Sequence, residues 1–324
     1  MFDIPGVTIL LALAILATWL ATRSGRAKSK VLKWAGLVPS SLFALIFSLA
    51  ICLVLVGFYK INFPPSRPPV TELKVVGTPD QIARGARFGT LCAGCHSPNG
   101  KPPLVGVNFF EGGGPPFGTV YAANLTPAGE IRDWSDGEII RAIREGVHKN
   151  GRALIIMPSH VFHNLSDSDA QAIVAYLRSQ PAAGSKTPPT KLNFLAALVL
   201  GVGMSPTSAQ PPITQPVIAP AQDTSAAYGK YLVSILTCTE CHGEKLAGIK
   251  RRGPGPPIGP NLTMIIPAWS QAGFVRTLRT GVDPNNYTIR PGMPWRQISS
   301  FASDEDLKAM YAYLHSLKPI EGPK

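Results

Sequence analysis

Cysteine is rare in this chain of 324 residues, with five copies, and acidic residues are few, 19 Asp and Glu against 31 Lys and Arg. Four of the cysteines fall in two short motifs and Cys52 lies in an apolar run, so no pair remains to build a disulfide framework. Convincing alternation of apolar and polar residues is also missing, so the soluble part reads as all-α. The shortage of acid is local: residues 1–77 carry eight Lys and Arg against two Asp and Glu, residues 78–182 nine against nine, and residues 220–324 twelve against eight. The excess at the start of the chain is an orientation signal first, and nucleic acid is not implied as a partner. Lys250-Arg251-Arg252 stands out as a local basic patch, either a solvated loop or a face for an acidic group.

What is present near the start is apolar. Ile4 to Ala21 is just long enough to cross a hydrocarbon core, and Leu37 to Tyr59 is longer and rich in Leu, Ile, Phe and Val. Between them Arg23, Arg26, Lys28, Lys30 and Lys33 form a basic loop with no acidic residue, which the positive-inside rule places in the cytoplasm. The result is a transmembrane hairpin in contact with lipid, with both ends outside. A cleaved signal sequence is the other reading of the first run, but its start carries Asp3 rather than a basic residue and no small-residue cleavage pattern is clear. Cys52 is expected as a buried small apolar side chain in the second span.

Two pentapeptides, Cys92-Ala93-Gly94-Cys95-His96 and Cys238-Thr239-Glu240-Cys241-His242, have the Cys-x-x-Cys-His pattern that attaches a c-type haem. Two thiols at that spacing bond to the two vinyl groups of one haem, and the adjacent His reaches the iron. Zinc would require a second pair of ligands near each motif, and none is present. Covalent attachment takes place outside the bacterial cytoplasm, so both motifs are expected on the periplasmic side of the bacterial inner membrane. The hairpin delivers them there.

The motifs sit in a repeat. Each unit has the pentapeptide, a Gly/Pro-rich loop, an Asn-Leu-Thr (residues 124–126 and 261–263), a helix, a Met-Pro, and a closing amphipathic helix opened by Ser166 or Ser303. Ser135 with Glu138 forms a capping box before Ile139, Ile140 and Ile143, and Gln271 to Arg279 is the matching helix. Asn62 to Pro69 is a Pro-rich spacer expected to lift the first unit off the bilayer, and Pro181 to Ala221 is a second break. The organisation is a hairpin over 1–60, a spacer over 61–77, cytochrome c domain 1 over 78–182, a linker over 183–220, and cytochrome c domain 2 over 221–324. Phe194 to Met204 in the linker is apolar but too short to span; it lies on the membrane surface, packs on a partner, or covers the seam between the domains.

The sixth iron ligand comes from a loop before the last helix of each unit. Met157 and Met293 occupy that slot, 61 and 51 positions after His96 and His242. The metal ligands are thus His96, Met157, His242 and Met293, and the haem-binding residues add Cys92, Cys95, Cys238 and Cys241. A thioether favours Fe(II), so His/Met ligation raises the reduction potential relative to His/His. Met204, Met264 and Met310 are read as core filling. His160 and His163 compete for the first site, with His148 and His315 behind them. The loops Lys101 to Leu104 and Gly253 to Pro257 are expected to pass the proximal face, where a carbonyl accepts the His ring N–H. Trp134, Trp295, Tyr121 and Arg296 are candidates for propionate contacts.

Both soluble halves resemble class I cytochrome c domains. More narrowly, Ala123-Asn124-Leu125-Thr126-Pro127, Trp134-Ser135-Asp136-Gly137-Glu138 and Met157-Pro158 followed by Leu165-Ser166-Asp167 are similar to the cytochrome subunits of membrane-bound alcohol, gluconate and aldehyde dehydrogenases. That resemblance implies a subunit passing electrons from a dehydrogenase to membrane ubiquinone. The chain departs from those subunits, which usually carry three haem motifs and a C-terminal membrane contact. The reading is a membrane-anchored di-haem relay between a respiratory redox partner and an acceptor, with no catalytic residue of its own. A di-haem peroxidase is the enzymatic alternative and needs one open distal position. A mainly structural subunit of a respiratory complex is the third.

Overall fold

The computed structural model describes residues 4–64, 69–70, 72–111, 113–114, 116–204, 207–249 and 259–322. Helices α1 (Ile4–Gly25) and α2 (Lys30–Asn62) pack side by side, joined by residues 26–29. Both are long and apolar enough to cross a membrane. Their large side chains, among them Ile15, Trp19, Leu42 and Leu45, face outward, as lipid-facing residues do. Cys52 does the same, so the expected buried position is corrected: the helix turns its sulfur away from the α1 contact.

The first cytochrome unit begins with α3 (Pro79–His96), started by a Thr78/Gln81 capping box with Pro79 at its first position. Short strands β1 (Val107–Asn108), β2 (Gly118–Thr119) and β3 (Tyr121–Ala122) follow, then α4 (Asp136–Glu145), α5 (Ser159–Phe162) and α6 (Asp167–Ser179). The Ser135/Glu138 capping box forms as expected, and Gly146 ends α4 in the left-handed region at φ 65°. Next come β4 (Lys191–Leu192) and α7 (Phe194–Gly201). β1 pairs antiparallel with β3, and β2 with β4.

The second unit contains α8 (Ala226–Ile235), α9 (Cys238–His242), α10 (Leu262–Ile265), α11 (Gln271–Thr280), α12 (Trp295–Phe301) and α13 (Asp304–His315). It repeats the first, except that the helix carrying the pentapeptide is broken at Thr237, whose φ is 59°. In each unit the first helix meets the closing helix backbone to backbone. A Cβ on Gly85 would lie 1.9 Å from the Ala172 carbonyl, and one on Gly229 1.9 Å from that of Ala309. Only glycine permits that approach.

The units share one core. Phe88, Leu177, Tyr228, Leu232, Phe301 and Leu307 belong to a single buried cluster, in which Phe88 and Phe301 meet edge to face at 4.9 Å. Arg87 of α3 pairs with Asp306 of α13, and its Nε donates to the Phe301 carbonyl at 2.8 Å. In return the Tyr231 hydroxyl of α8 donates to Asp169 of α6 at 2.6 Å, where Arg84 also binds at 2.8 Å. Since Gly85 and Gly229 are matched, Arg87 and Tyr231 are matched too, and the two links are related by the repeat.

A second cluster joins domain 1 to the hairpin: Ile61, Val120, Leu192, Ala196 and Leu200, with Phe109, Phe110 and Phe117 against it. The Ala153 N–H also donates to the Ile61 carbonyl at 2.7 Å. Domain 1 is thus seated on the end of the hairpin through Phe109, Phe110 and Phe117. Residues 65–68 of the spacer lie outside the described residues.

Helix α7 settles on the hairpin as well, and not over the seam between the domains. Ala197 packs on Gly57, Gly201 on Leu53 and Phe194 on Gly6, so α7 runs antiparallel to the end of α2. Lys60 Nζ donates to the Leu200 carbonyl at 3.0 Å and caps α7. Met204, just past it, is 78% exposed and Met264 is also exposed, so of the three methionines read as core only Met310 is buried.

Candidate functional site

The two pentapeptides end helices. Cys92, Cys95 and His96 occupy the last turn of α3, and Cys238, Cys241 and His242 form α9. Spacing of three and four residues puts these side chains on one helical face. His96 Nδ1 lies 2.7 Å from the Ala123 carbonyl, and His242 Nδ1 lies 2.7 Å from that of Pro260. With Nδ1 donating to a carbonyl, Nε2 carries the free lone pair that a metal needs. Burial lowers the pKa of His96, against the opposing pull of the Ala123 carbonyl, and burial does the same at His242. Both rings are thus held neutral.

The accepting carbonyls do not come from the two loops expected to supply them. Leu104 is buried beside its loop, residues 253–257 lie outside the described residues, and the acceptors stand immediately before the two Asn-Leu-Thr sequences. The tripeptides hold those carbonyls in place. Asn124 Nδ2 donates to the Ala183 carbonyl at 2.8 Å, and Asn261 Nδ2 to that of Ile320 at 2.7 Å. The Ala183 N–H donates to Thr126 Oγ1 at 3.2 Å, and the Ile320 N–H to Thr263 Oγ1 at 3.0 Å. Position in the repeat was the available signal, since a main-chain acceptor has no side-chain signature.

Burial pushes the thiols of Cys92 and Cys238 up to about 12 and raises those of Cys95 and Cys241. Among the described residues no three or more His, Cys, Asp and Glu gather as a metal cage. Paired thiols plus a neutral imidazole with a fixed tautomer fit a covalently attached haem, and the described residues bring no second ligand pair of the kind a zinc site needs.

Met157 and Met293 stand in matching turns. The Ser159 N–H donates to the Met157 carbonyl at 2.8 Å, and the Trp295 N–H to that of Met293 at 2.8 Å. The intervening Pro158 and Pro294 have φ/ψ of −79°/52° and −80°/47°, inverse γ-turns that start α5 and α12. Met293, Cys92 and Cys238 pack against the shared core.

Of the competing histidines, His160 and His148 have a ring nitrogen on a side chain, and His163 repeats the Nδ1–carbonyl arrangement of the two proximal rings. His160 Nε2 lies 2.8 Å from Glu240 Oε1 across the domains, and His163 Nδ1 lies 3.1 Å from the Arg144 carbonyl. His148 bonds Asn150 and meets Trp134 edge to face, and the His315 ring lies tilted against Tyr311 with centroids 5.1 Å apart. Arg296 lies over the ring of Trp295 at 4.4 Å, and Tyr121 is placed in β3 with its N–H on Thr190. Lys250, Arg251 and Arg252 lie outside the described residues.

Comparison with known proteins agrees with this geometry. The chain is 30% identical over 246 residues to a nicotinate dehydrogenase subunit of Pseudomonas putida, covering 70% of this chain and 20% of that protein. It is 26% identical over 295 residues to the cytochrome c subunit of a quinone alcohol dehydrogenase of Gluconobacter oxydans, covering 82% of this chain and 59% of that one. Over 171 residues it is 34% identical to the gluconate 2-dehydrogenase cytochrome c subunit of Pantoea cypripedii, covering 48% of this chain and 36% of that one. The chain therefore spans three-fifths or less of each of these relatives. The family model for cytochrome c matches residues 82–181 and 226–318, the two stretches that carry a pentapeptide, a His–carbonyl bond and a Met-Pro turn, and the chain belongs to that family.

Proposed function

We propose that this chain is a membrane-anchored di-haem cytochrome c that relays electrons between a dehydrogenase and an acceptor, without bond-making chemistry of its own. Its parts are the hairpin over 1–60, the spacer over 61–77, domain 1 over 78–182, the linker over 183–220 and domain 2 over 221–324. The observation that carries this reading is the duplicated proximal arrangement, His96 on the Ala123 carbonyl and His242 on that of Pro260. When bound, c-type haem supplies a one-electron iron couple.

The protein residues do the rest. Cys92 with Cys95, and Cys238 with Cys241, tether each group. His96 and His242 ligate through Nε2, kept basic by the carbonyl on the opposite nitrogen. Met157 and Met293 would supply a thioether to each iron, a soft ligand that would favour the reduced state. The shared core and the paired links between α3 and α13 and between α8 and α6 hold the two sites at a fixed separation. The apolar hairpin supports anchoring in the bacterial inner membrane with the sites on the periplasmic side. The dehydrogenase names of the relatives support the donor, and a membrane quinone fits as the acceptor.

The test is a potentiometric titration of the purified chain with absorption spectra, together with its intact mass. Two haem adducts, two high-potential steps and the weak far-red band of Met ligation to ferric haem are expected. Met157→Leu and Met293→Leu should each remove one share of that band and lower one potential. A single adduct, or carbon monoxide binding to a reduced site in the native chain, would overturn the assignment.

A further inference from the structure

The two Met-Pro turns are alike, but what lies before them is not. In domain 1 the strand leading to Met157 is bound to the end of the hairpin: the Ala153 N–H donates to the Ile61 carbonyl, and two residues on Ile155 packs against the cluster of Ile61 and Leu200. On its other side the Leu154 N–H donates to the Gly146 carbonyl at 2.7 Å, and the Leu154 carbonyl accepts from Ser208 at 2.8 Å. Between the anchored Ile155 and Met157 stands Ile156, with φ 69° and a side chain 52% exposed. A β-branched residue in the left-handed region is a strained outlier that persists only where its surroundings over-determine it. Ile156 is too exposed to impose that conformation through its own packing. Its neighbours impose it, Ile155 from the hairpin side and the Met157 turn from the other.

Among the described residues, domain 2 lacks this support. Ile289 repeats the Leu154 bond, its N–H donating to the Gly281 carbonyl at 2.7 Å. Beyond it Arg290, Pro291 and Gly292 are exposed, and none of the three has a positive φ.

We propose that the membrane hairpin is a positioning element for domain 1, in which Ile61 and Ile155 set Met157 through the strained Ile156, whereas Met293 is set by the shared core without the hairpin. The proposal rests on the reading of Met157 as a ligand. Ile61 and Ile155 are positioning residues, because they act on the iron only through Met157. The end of the membrane anchor would thereby tune one haem and not the other.

The experiment uses the full chain in detergent, with far-red absorption and potentiometry. Met157→Leu and Met293→Leu assign each share of the band and each potential. Ile155→Val and Ile155→Ser then loosen the anchor in two steps, and Ile156→Gly releases the strain without touching the cluster. The expected result is a graded loss of the Met157 share, larger for Ser than for Val, with a lowered potential at that haem and an unchanged Met293 share. Ile156→Gly should shift the same haem alone. If the band and both potentials stay native in all three variants while Met157→Leu removes its share, the positioning role is wrong and the ligand stands. If Met157→Leu leaves the band intact, the ligand reading falls and the proposal with it. Equal shifts at both haems in Ile155→Val would also overturn it, since the effect would then be general.

Discussion

At the scale of single residues the site is decided by how closely backbone approaches the proximal imidazole. Gly259 lies so near α9 that a Cβ would be 2.6 Å from the Cys241 carbonyl and 2.7 Å from His242 Nδ1. Gly259→Ala must therefore push the Pro260 carbonyl off the ring. Weaker donation from Nδ1 lowers the basicity of the ligand and raises the potential of that haem. Overpacking adds a cost of about 1–3 kcal/mol. Potentiometry should show one potential raised and the other unmoved, and two unmoved potentials would contradict the proximal role given to this loop. Much of this scale was legible in sequence: the pentapeptides, the Met-Pro pairs and the Asn-Leu-Thr repeat all have side-chain signatures. The carbonyls of Ala123 and Pro260 were not, because any residue supplies one. The strain at Ile156 was equally invisible, since nothing in Ile-Ile-Met-Pro signals a positive φ.

At the scale of elements the informative piece is α7. Its length and composition read equally well as a surface helix, a partner contact or a seam cover, because eight apolar residues do not say which apolar surface they meet. The structure chooses α2, through Gly57 and Leu53, and closes the helix with Lys60. The aliphatic stem of a lysine lies along apolar surface while its ammonium seeks polar partners, here the Leu200 and Gly201 carbonyls. Lys60→Met keeps the stem and removes the donor; the Leu200 carbonyl retains the Gly203 N–H at 3.2 Å while the Gly201 carbonyl loses its ammonium partner, at a cost of about 1 kcal/mol. Hydrogen exchange in nanodiscs should accelerate over residues 197–203 and stay native in α3 and α8. Native exchange throughout would mean that the cap does not hold α7. The seat of domain 1 on the hairpin was not legible either, because Pro-rich composition speaks to the stiffness of the spacer and not to the contact that Phe109, Phe110 and Phe117 make with Ile61.

At the scale of the whole molecule, sequence revealed two tandem units but not how they face each other. The links that fix them, Arg87 to Asp306 and Tyr231 to Asp169, end on matched aspartates of the two closing helices, but they start from an Arg and a Tyr, two unlike side chains that announce no common pairing. At Asp306 burial alone would raise the carboxyl, but the Ser303 N–H and the Arg87 guanidinium outweigh it and hold it below the ordinary value. A carboxyl depressed in the folded state contributes stability that is complete above its unfolded value, roughly 3.9, and is lost as pH falls through the lower folded value. Acid unfolding of Asp306→Asn should lose this component, and at neutral pH the variant should be destabilised by about 3 kcal/mol, the lower end for breaking a buried pair. An unchanged acid transition would show that the pair contributes nothing. The doubled links carry one further consequence. Residues 221–224 are exposed, whereas the joints on either side are held by main-chain bonds such as Asp167 N–H to the Val217 carbonyl at 2.9 Å. A protease cutting there should yield two fragments that migrate separately in denaturant yet elute together under native conditions, a chain that can be severed without coming apart.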